Sequence, residues 1–203
     1  MIKYVVNTPK GGVGKTTIST NLALMLAARQ KRVWALDLAQ GSIMTRILSN
    51  SPVFQGGSCK IDTREGQQLP INFPGAKAFD YMVVDTDDYW EYLKDLLEQV
   101  NRGWRLIAPV PPDDELALDR VPGDLSILAA AAMSQDKNIP FKIVANKVTT
   151  SDQKQRLYEA LQKTGIASRL SEYVVPLVEG HPGSFYENSA FAKALDGVLS
   201  ELG

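Results

Sequence analysis

Cysteine and histidine are almost missing from this 203-residue sequence, which contains one of each, Cys59 and His181. A lone cysteine forms no disulfide framework, and together the two residues cannot supply the ligands of a zinc site or an iron–sulfur cluster. A Ser-His-Asp triad would have to use His181, because the sequence has no other imidazole. Metal chemistry in this chain must therefore depend on oxygen ligands.

An excess of charge of one sign is also lacking, since 22 basic and 23 acidic residues leave a formal net charge of -1. This balance argues against a globally basic nucleic-acid-binding protein, although a local basic patch, or one formed by dimerisation, would not appear in the total. Long hydrophobic runs are absent too, because Pro122, Gly123 and Asp124 interrupt the stretch 121–134. No membrane span is predicted. Met1 leads directly into a strand-like run, so we expect no secretory signal and a cytoplasmic location.

Segments with strand-like and helix-like patterns alternate along the chain. The patterns predict strands at 2–6, 32–37, 81–85, 105–110, 141–145 and 173–175, helices at 16–29, 42–48, 89–100, 122–133 and 151–163, and a last helix that ends near Leu202. The region 50–78 is rich in Gly, Pro, Ser and Gln and predicts a long loop with room for a strand near Ile61. This alternation predicts an α/β fold: a mostly parallel, twisted sheet with helices on both faces, formed by one domain over residues 1–203.

A glycine-rich segment with two lysines lies between the first predicted strand and the first predicted helix. In that position the backbone amides and the helix N-terminus converge on an anion, as in a phosphate-binding loop. Lys15 can place its charge on the β- and γ-phosphates of a nucleotide, and the Thr16 hydroxyl can ligate Mg²⁺. The predicted nucleotide-binding residues of the loop are Gly11, Gly12, Val13, Gly14, Lys15, Thr16 and Thr17.

The loop departs from the usual pattern G-x-x-x-x-G-K-[ST], because Pro9 occupies the first glycine position and a second lysine, Lys10, follows it. With this deviant Walker A motif the chain resembles the ParA/MinD family of dimeric ATPases. The resemblance implies a P-loop NTPase fold, binding of ATP and ADP with Mg²⁺, and a homodimer that forms on ATP. It also implies a catalytic role for Lys15 and Lys10. The family's extra lysine reaches the phosphates bound by the partner and neutralises developing charge, as an arginine finger does.

Other segments resemble the remaining nucleotide-binding motifs of the family. Residues 79–86 resemble the Walker B strand, which implies that Asp85 holds the Mg²⁺ shell. The segment that ends in Asn146 is similar to the strand whose terminal asparagine contacts adenine. A later segment around Pro176 is similar to the one that lies along the base or ribose. The resemblance thus covers most of the chain.

The segment after the second strand departs from the family pattern Asp-x-Asp-Pro-Gln-Gly. Asp37 matches the first aspartate, so the resemblance implies a catalytic and metal-shell role for it. Ala39 stands where the second aspartate is expected, and one residue is missing nearby. In the family the second aspartate orients or activates the attacking water, which a methyl group cannot do, so we expect slow or absent hydrolysis. The sequence leaves open whether Ala39 is native or an engineered substitution that traps the ATP-bound dimer.

A second departure is Thr86-Asp87-Asp88, where the family commonly has Thr-Pro-Pro or a turn of small residues. Asp87 can add a carboxylate near the metal. Alternatively, Asp87 or Asp88 can cap the helix predicted at 89–100, which is the role that we expect.

The resemblance is greatest to short ParA-type proteins without an N-terminal helix-turn-helix domain, because the phosphate loop begins so close to Met1. It implies plasmid or chromosome partition, or cargo positioning, by an ATP-bound dimer on the nucleoid. A ParB-like or adaptor protein would stimulate hydrolysis, and nonspecific DNA would be bound through its phosphates. The candidate DNA-contacting residues are Lys142, Lys147, Lys154, Arg156, Lys163, Arg169 and Lys193.

The C-terminal segment 191–203 has an apolar face but only one lysine and two acids, so it lacks the cationic side of a membrane-binding helix. We expect that face to pack in the core. Two alternative functions remain open. One is a nucleotide-gated scaffold that binds a protein partner without DNA, and the other is a small-molecule P-loop synthetase or kinase. Lys10 argues against the second, because a lysine that acts on a partner's nucleotide serves a dimer.

Overall fold

Seven parallel β-strands form one sheet in the computed structural model, which describes residues 1–55, 58–70, 72–89, 103–134 and 139–203. In chain order the strands are β1 Ile2–Val6, β2 Val33–Asp37, β3 Lys60–Thr63, β4 Tyr81–Asp85, β5 Trp104–Val110, β6 Phe141–Val148 and β7 Leu170–Pro176. Their order across the sheet is β3-β2-β4-β1-β5-β6-β7, and every neighbouring pair is parallel. The predicted α/β fold is confirmed.

Five α-helices lie within the described ranges. They are α1 Lys15–Ala28, α2 Ile43–Ser49, α3 Glu115–Ser134, α4 Asp152–Lys163 and α5 Ser189–Leu202. The strand predicted near Ile61 is β3, whereas the helix predicted at 89–100 lies outside the described residues, apart from Tyr89. In the part of the chain that the structure describes, no helix has both the length and the apolar character needed to cross a bilayer.

Helix α3 begins earlier than the sequence predicts. The prediction placed its start after Pro122, but the helix begins at Glu115 and contains the proline. Asp114 caps the helix, because its Oδ1 accepts a hydrogen bond from the amide of Ala117 at 3.0 Å. Ala117 and Val121 are fully buried, so packing of this face offsets the helix-breaking tendency of the proline.

The core consists of two apolar layers, one on each face of the sheet. Neighbouring residues of β1 point to opposite faces, so Val5 belongs to one layer and Val6 to the other. Helices α3 and α4 pack on the first layer, and α1 and α5 pack on the second. This arrangement confirms the prediction of helices on both faces.

Strand β1 lies at the centre of the sheet, between β4 and β5. The chain places β2, β3 and β4 on one side of β1 and the three later strands on the other side. In open parallel sheets, ligands bind outside the carboxyl ends of the strands where the strand order reverses in this way. The loop after β1 therefore occupies the position where a ligand site is expected.

Candidate nucleotide-binding site

The segment after β1 forms a loop that ends at the N-terminus of α1. Gly12 and Gly14 have φ angles of +75° and +99°, a backbone conformation that residues with a Cβ rarely adopt. A Cβ on Gly14 would also lie 2.3 Å from Asn146 Nδ2, so there is no space for a side chain. Gly14 provides no side-chain cap for α1, which leaves the first amides of the helix available to an anion.

An open pocket of about 290 Å³ lies over this loop. The loop and the start of α1 contribute Gly12, Gly14, Lys15, Thr16 and Thr17, the loops after β2 and β4 contribute Ala39, Gln40, Thr86, Asp87 and Asp88, and the end of β6 contributes Lys147. Among the other predicted loop residues, Val13 is fully buried and Gly11 lies against Asp88. The fold therefore gathers residues from the loops after β1, β2 and β4 and from the end of β6 around one pocket.

The ammonium of Lys15 lies at the floor of the pocket, and its side chain is only 7% exposed. Its Nζ donates a hydrogen bond to the Lys10 carbonyl at 2.7 Å and one to Asp88 Oδ1 at 2.5 Å. The Asp88 contact was missed by the sequence analysis, which assigned the residue to a helix cap. The signal was the acidic pair Asp87-Asp88, which follows Thr86 just after the end of β4.

Two buried aspartates lie at the strand ends beside the pocket. Both oxygens of Asp85 are buried and have no hydrogen-bond partner among the described residues. Burial raises the pKa of Asp85 to about 7; the nearby hydroxyls of Thr16 and Ser19 oppose this shift, and the charge of Asp37 adds to it. Asp37 accepts hydrogen bonds from the amides of Ala39 at 3.2 Å and Thr45 at 2.8 Å. Burial raises its pKa as well, and these amides oppose the shift.

The donor set beside the loop fits a Mg²⁺ ion that is shared with a nucleotide. Within the described ranges, no three or more histidine, cysteine or acidic side chains form a metal site by themselves. Mg²⁺ commonly keeps several waters and takes one or two protein ligands together with substrate phosphates. Unpaired buried oxygens on Asp85, with Thr16 near them, match that requirement. Asp37 is already partly satisfied by its two amide hydrogen bonds.

Lys10 directly precedes the glycines of the loop and is not among the residues that line the pocket. Its Nζ is 2.5 Å from Asp114 Oδ2, and its side chain is 23% exposed. The same contact lowers the pKa of Asp114. The structure thus holds Lys10 against an acid of its own chain, between the loop and the start of α3.

Ala39 and Asp87 both line the pocket. Ala39 is 7% exposed, and its methyl group stands at the sequence position where the resemblance predicts a carboxylate. Asp87 Oδ1 accepts a hydrogen bond from the Gln40 amide at 2.9 Å, and its Oδ2 is buried without a partner among the described residues. Asn7 donates from Nδ2 to the Asp87 carbonyl at 3.1 Å. The described contacts of Asp87 therefore tie the loop after β4 to the loop after β2.

The end of β6 contacts the phosphate loop from the other side. Asn146 is 4% exposed and donates from Nδ2 to the Val13 carbonyl at 2.7 Å. Lys147 has a φ of 59° and donates from Nζ to the Gly12 carbonyl at 2.8 Å. Pro176 ends β7, opposite Val148, and does not line the pocket. The structure therefore joins Asn146 to the loop, but it does not bring Pro176 there.

Most of the candidate DNA-contacting residues touch groups of their own chain. Lys142 pairs with Glu201, Lys147 contacts Gly12, Lys154 donates to the Glu172 carbonyl, Arg156 pairs with Glu115, and Arg169 lies over the ring of Phe141. Lys163 and Lys193 are exposed and have no partner among the described residues.

The apolar face of α5 packs in the core through Phe191, Leu195 and Val198. That packing agrees with the role expected for the C-terminal segment.

Solved structures with the same fold include proteins of plasmid partition and cell division. The chain is similar to a putative plasmid partition protein of Borrelia burgdorferi bound to AMPPNP, with a TM-score of 0.68, 14% identity and coverage of 98% of this chain and 97% of that one. It is also similar to the MinC:MinD cell division protein complex of Aquifex aeolicus, with a TM-score of 0.68, 18% identity and coverage of 100% and 95%. A third similar structure is apo McdA of Cyanothece, with a TM-score of 0.73, 14% identity and coverage of 100% of this chain and 100% of that one.

The sequence itself also identifies the family. A comparison with curated protein sequences found no match. In contrast, the family profile described as the CobQ/CobB/MinD/ParA nucleotide binding domain matches residues 4–180, which is most of the chain. Together with the fold, this match shows that the chain belongs to the CobQ/CobB/MinD/ParA family of nucleotide-binding domains.

Proposed function

We propose that this chain is a ParA-like ATPase that dimerises on ATP and segregates DNA or positions another cargo on the nucleoid. The observation that carries the proposal is the pair of lysines on one loop. Lys15 lines the pocket and is 7% exposed, whereas Lys10 does not line it and is 23% exposed. A loop that serves one chain needs the inner lysine, and an outer lysine suits a nucleotide bound by a second chain. Residues 1–203 act as one ATPase domain in this proposal.

The ligands in the proposal are ATP, its product ADP, and Mg²⁺. Lys15 and the first amides of α1 hold the phosphates, and Mg²⁺, when bound, neutralises charge on them. Thr16 and Asp85 hold the metal, with Asp37 beside them. Asn146 faces the adenine, and Pro176 lies along the base or ribose. The unpaired oxygens of Asp85 support this assignment, as does the AMPPNP bound by the Borrelia burgdorferi relative.

In the proposed homodimer, Lys10 leaves Asp114 and reaches the nucleotide of the partner. Each site is then complete only when two chains meet, so nucleotide binding and dimerisation are coupled. The 2.5 Å contact between Lys10 and Asp114 supports this step, because it gives the lysine a partner in its own chain before the dimer forms.

Hydrolysis in this proposal is slow, so the ATP-bound dimer is long-lived. Ala39 offers a methyl group where an aspartate would orient or activate the attacking water. A ParB-like or adaptor protein stimulates the residual hydrolysis and returns the chain to its ADP-bound state. The chain is cytoplasmic and moves to the nucleoid when ATP is bound.

DNA is proposed to bind nonspecifically through its phosphates, with the exposed Lys163 and Lys193 as the first candidates. A second function is favoured by the contacts of the other candidates: five of the seven basic residues touch groups of their own chain. With only two of these seven candidates unpaired among the described residues, the second function is a nucleotide-gated scaffold that binds a protein partner without DNA.

Binding to nonspecific duplex DNA tests these two functions. The protein is mixed with ATP, ADP or no nucleotide, each with Mg²⁺, at low and at moderate salt. Binding that requires ATP and weakens steeply with salt supports the DNA-positioning function, because contacts to DNA phosphates release bound counterions, and this release is less favourable when the salt concentration is higher. ATP-dependent dimerisation without DNA binding in any condition contradicts it and favours the scaffold.

A further inference from the structure

An acid of the chain itself occupies the phosphate loop. Asp88 Oδ1 lies 2.5 Å from Lys15 Nζ, and its Oδ2 lies 2.9 Å from the position that a Cβ on Gly11 would take. The carboxylate therefore rests on the glycine backbone as well as on the lysine. It fills the part of the anion site where a bound phosphate would meet the same ammonium.

The two ends of the loop face different groups. At one end, the Cβ direction of Gly14 meets Asn146, which the proposed function places at the base. At the other end, the Cβ direction of Gly11 meets Asp88. Since a nucleotide extends from its base to its last phosphate, Asp88 lies at the end of the pocket that would hold the terminal phosphate.

The side chain of Asp88 can leave this position without disturbing the strand before it. It is 57% exposed, so it can turn into solvent. The preceding residue is anchored, because the Gln40 amide donates to Asp87 Oδ1 and Asn7 donates to the Asp87 carbonyl. Only the carboxylate of Asp88 has to move when a phosphate takes its place.

We propose that Asp88 determines nucleotide specificity by competing with the terminal phosphate for Lys15. This inference rests on the proposed function, in which the pocket binds ATP and ADP. The Lys15 ammonium has three N–H donors, and the Lys10 carbonyl and Asp88 accept two of them. The β-phosphate of a nucleoside diphosphate can take the third while Asp88 stays in place. A triphosphate also brings a γ-phosphate to the position of Asp88 and has to displace it, because two anions repel each other at that distance. Asp88 therefore weakens the binding of triphosphate relative to diphosphate.

Calorimetric binding of AMPPNP and of ADP, each with Mg²⁺, tests the proposal on the full chain. The variants are Asp88→Asn and Asp88→Ala, with Asp113→Asn as a control. Asp113 is also exposed, follows β5, and has no partner among the described residues. We expect both Asp88 variants to bind AMPPNP about tenfold more tightly and ADP within about twofold of the wild type. Asp113→Asn should bind both nucleotides as the wild type does.

The other outcomes separate this inference from the proposed function. Suppose that the wild type binds ADP, and that the Asp88 variants either gain the same affinity for both nucleotides or gain no affinity for AMPPNP. The competition is then refuted, but the nucleotide-binding site is not. Tighter AMPPNP binding in Asp113→Asn would also refute it, because the gain would then be a general charge effect. If the wild type binds neither nucleotide, the proposed function fails and the inference fails with it.

Discussion

Asp37 and Asp85 stand in register at the carboxyl ends of the adjacent strands β2 and β4, and both are fully buried. Burial raises the pKa of each, and the charge of Asp37 adds to the shift at Asp85. Two carboxylates side by side in the core cost stability, and the charge of Lys15, which lowers the pKa of Asp85, offsets this cost only in part. This cost gives the nucleotide-free protein a testable pH dependence.

The variant Asp85→Asn should make the nucleotide-free protein more stable at neutral pH. The pKa of Asp85 is about 7 in the folded chain against an ordinary value of 3.8. A carboxyl with a raised pKa favours folding below its unfolded pKa, and this contribution is lost as the pH rises through the folded pKa. We therefore expect the Tm of the wild type to fall between about pH 4 and pH 7 and that of the variant to fall less. At about pH 8 the variant should melt at least about 3 °C higher.

Asp113→Asn is the charge-matched control for that measurement, since it removes an exposed carboxylate. Thermal melts of the three proteins without nucleotide or Mg²⁺ give the comparison. If Asp85→Asn is less stable than the wild type at about pH 8, the buried carboxylate does not destabilise the folded protein and the prediction is wrong.

The variant Lys10→Ala should lose ATP-dependent dimerisation while it still binds ATP. Among the described residues, the Lys10 ammonium donates to Asp114, and the Lys10 carbonyl that accepts from Lys15 belongs to the backbone, so alanine at this position leaves Lys15 and the loop intact. Light scattering during size-exclusion chromatography with AMPPNP reports the mass, and calorimetry reports binding. Lys193→Ala removes an exposed lysine on α5 and serves as the control. Unchanged dimerisation of Lys10→Ala would contradict its action on the partner's nucleotide.

The variant Ala39→Asp should increase ATP hydrolysis by about a hundredfold, because it restores a carboxylate beside the pocket that can accept a proton. The methyl group of Ala39 lies at the pocket wall, so the longer side chain can extend into the open space. Release of inorganic phosphate measures the rate. Ala39→Asn has the same size without the base and should gain much less. Equal rates for Ala39→Asp and the wild type, with ATP binding intact, would contradict this role of the position.

The variant Gly14→Ala should abolish nucleotide binding. A methyl group there would lie 2.3 Å from Asn146 Nδ2 and would require a φ of +99°, so the loop or the end of β6 has to move. Gly75→Ala is the control, because it has a φ of +83° but nothing within 4 Å of the added Cβ. Binding of AMPPNP, with circular dichroism as a check on folding, distinguishes the two. Gly14→Ala that binds AMPPNP as tightly as Gly75→Ala would show that the close approach of Asn146 is not needed.

The prediction of α3 shows where a local rule fails. The sequence predicts a start after Pro122, because proline removes a helical hydrogen bond. In the fold, the cap at Asp114 and the burial of Val121 against the sheet hold the preceding turns in a helix. A local preference can be read from the chain, but the packing that overrides it depends on residues far away in sequence.

The sequence by itself determined the fold class and the family, because both depend on short-range patterns. Alternating strands and helices predict a parallel sheet. The glycines and lysines of the segment from Lys10 to Thr17 lie together in the sequence, at the start of a predicted helix. Backbone conformation and amide direction in such a loop are set by adjacent residues. The anion pocket could therefore be located without any knowledge of the rest of the molecule.

The tertiary structure alone determined which charged side chains pair with Lys15 and Lys10. Asp88 is 73 positions from Lys15, and Asp114 is 104 positions from Lys10, so no local pattern pairs them. These contacts arise because the parallel sheet brings the ends of β1, β4 and β5 to one edge. Coulombic attraction acts through space and not along the chain, so the partners of the two lysines became visible only when the strands were placed side by side.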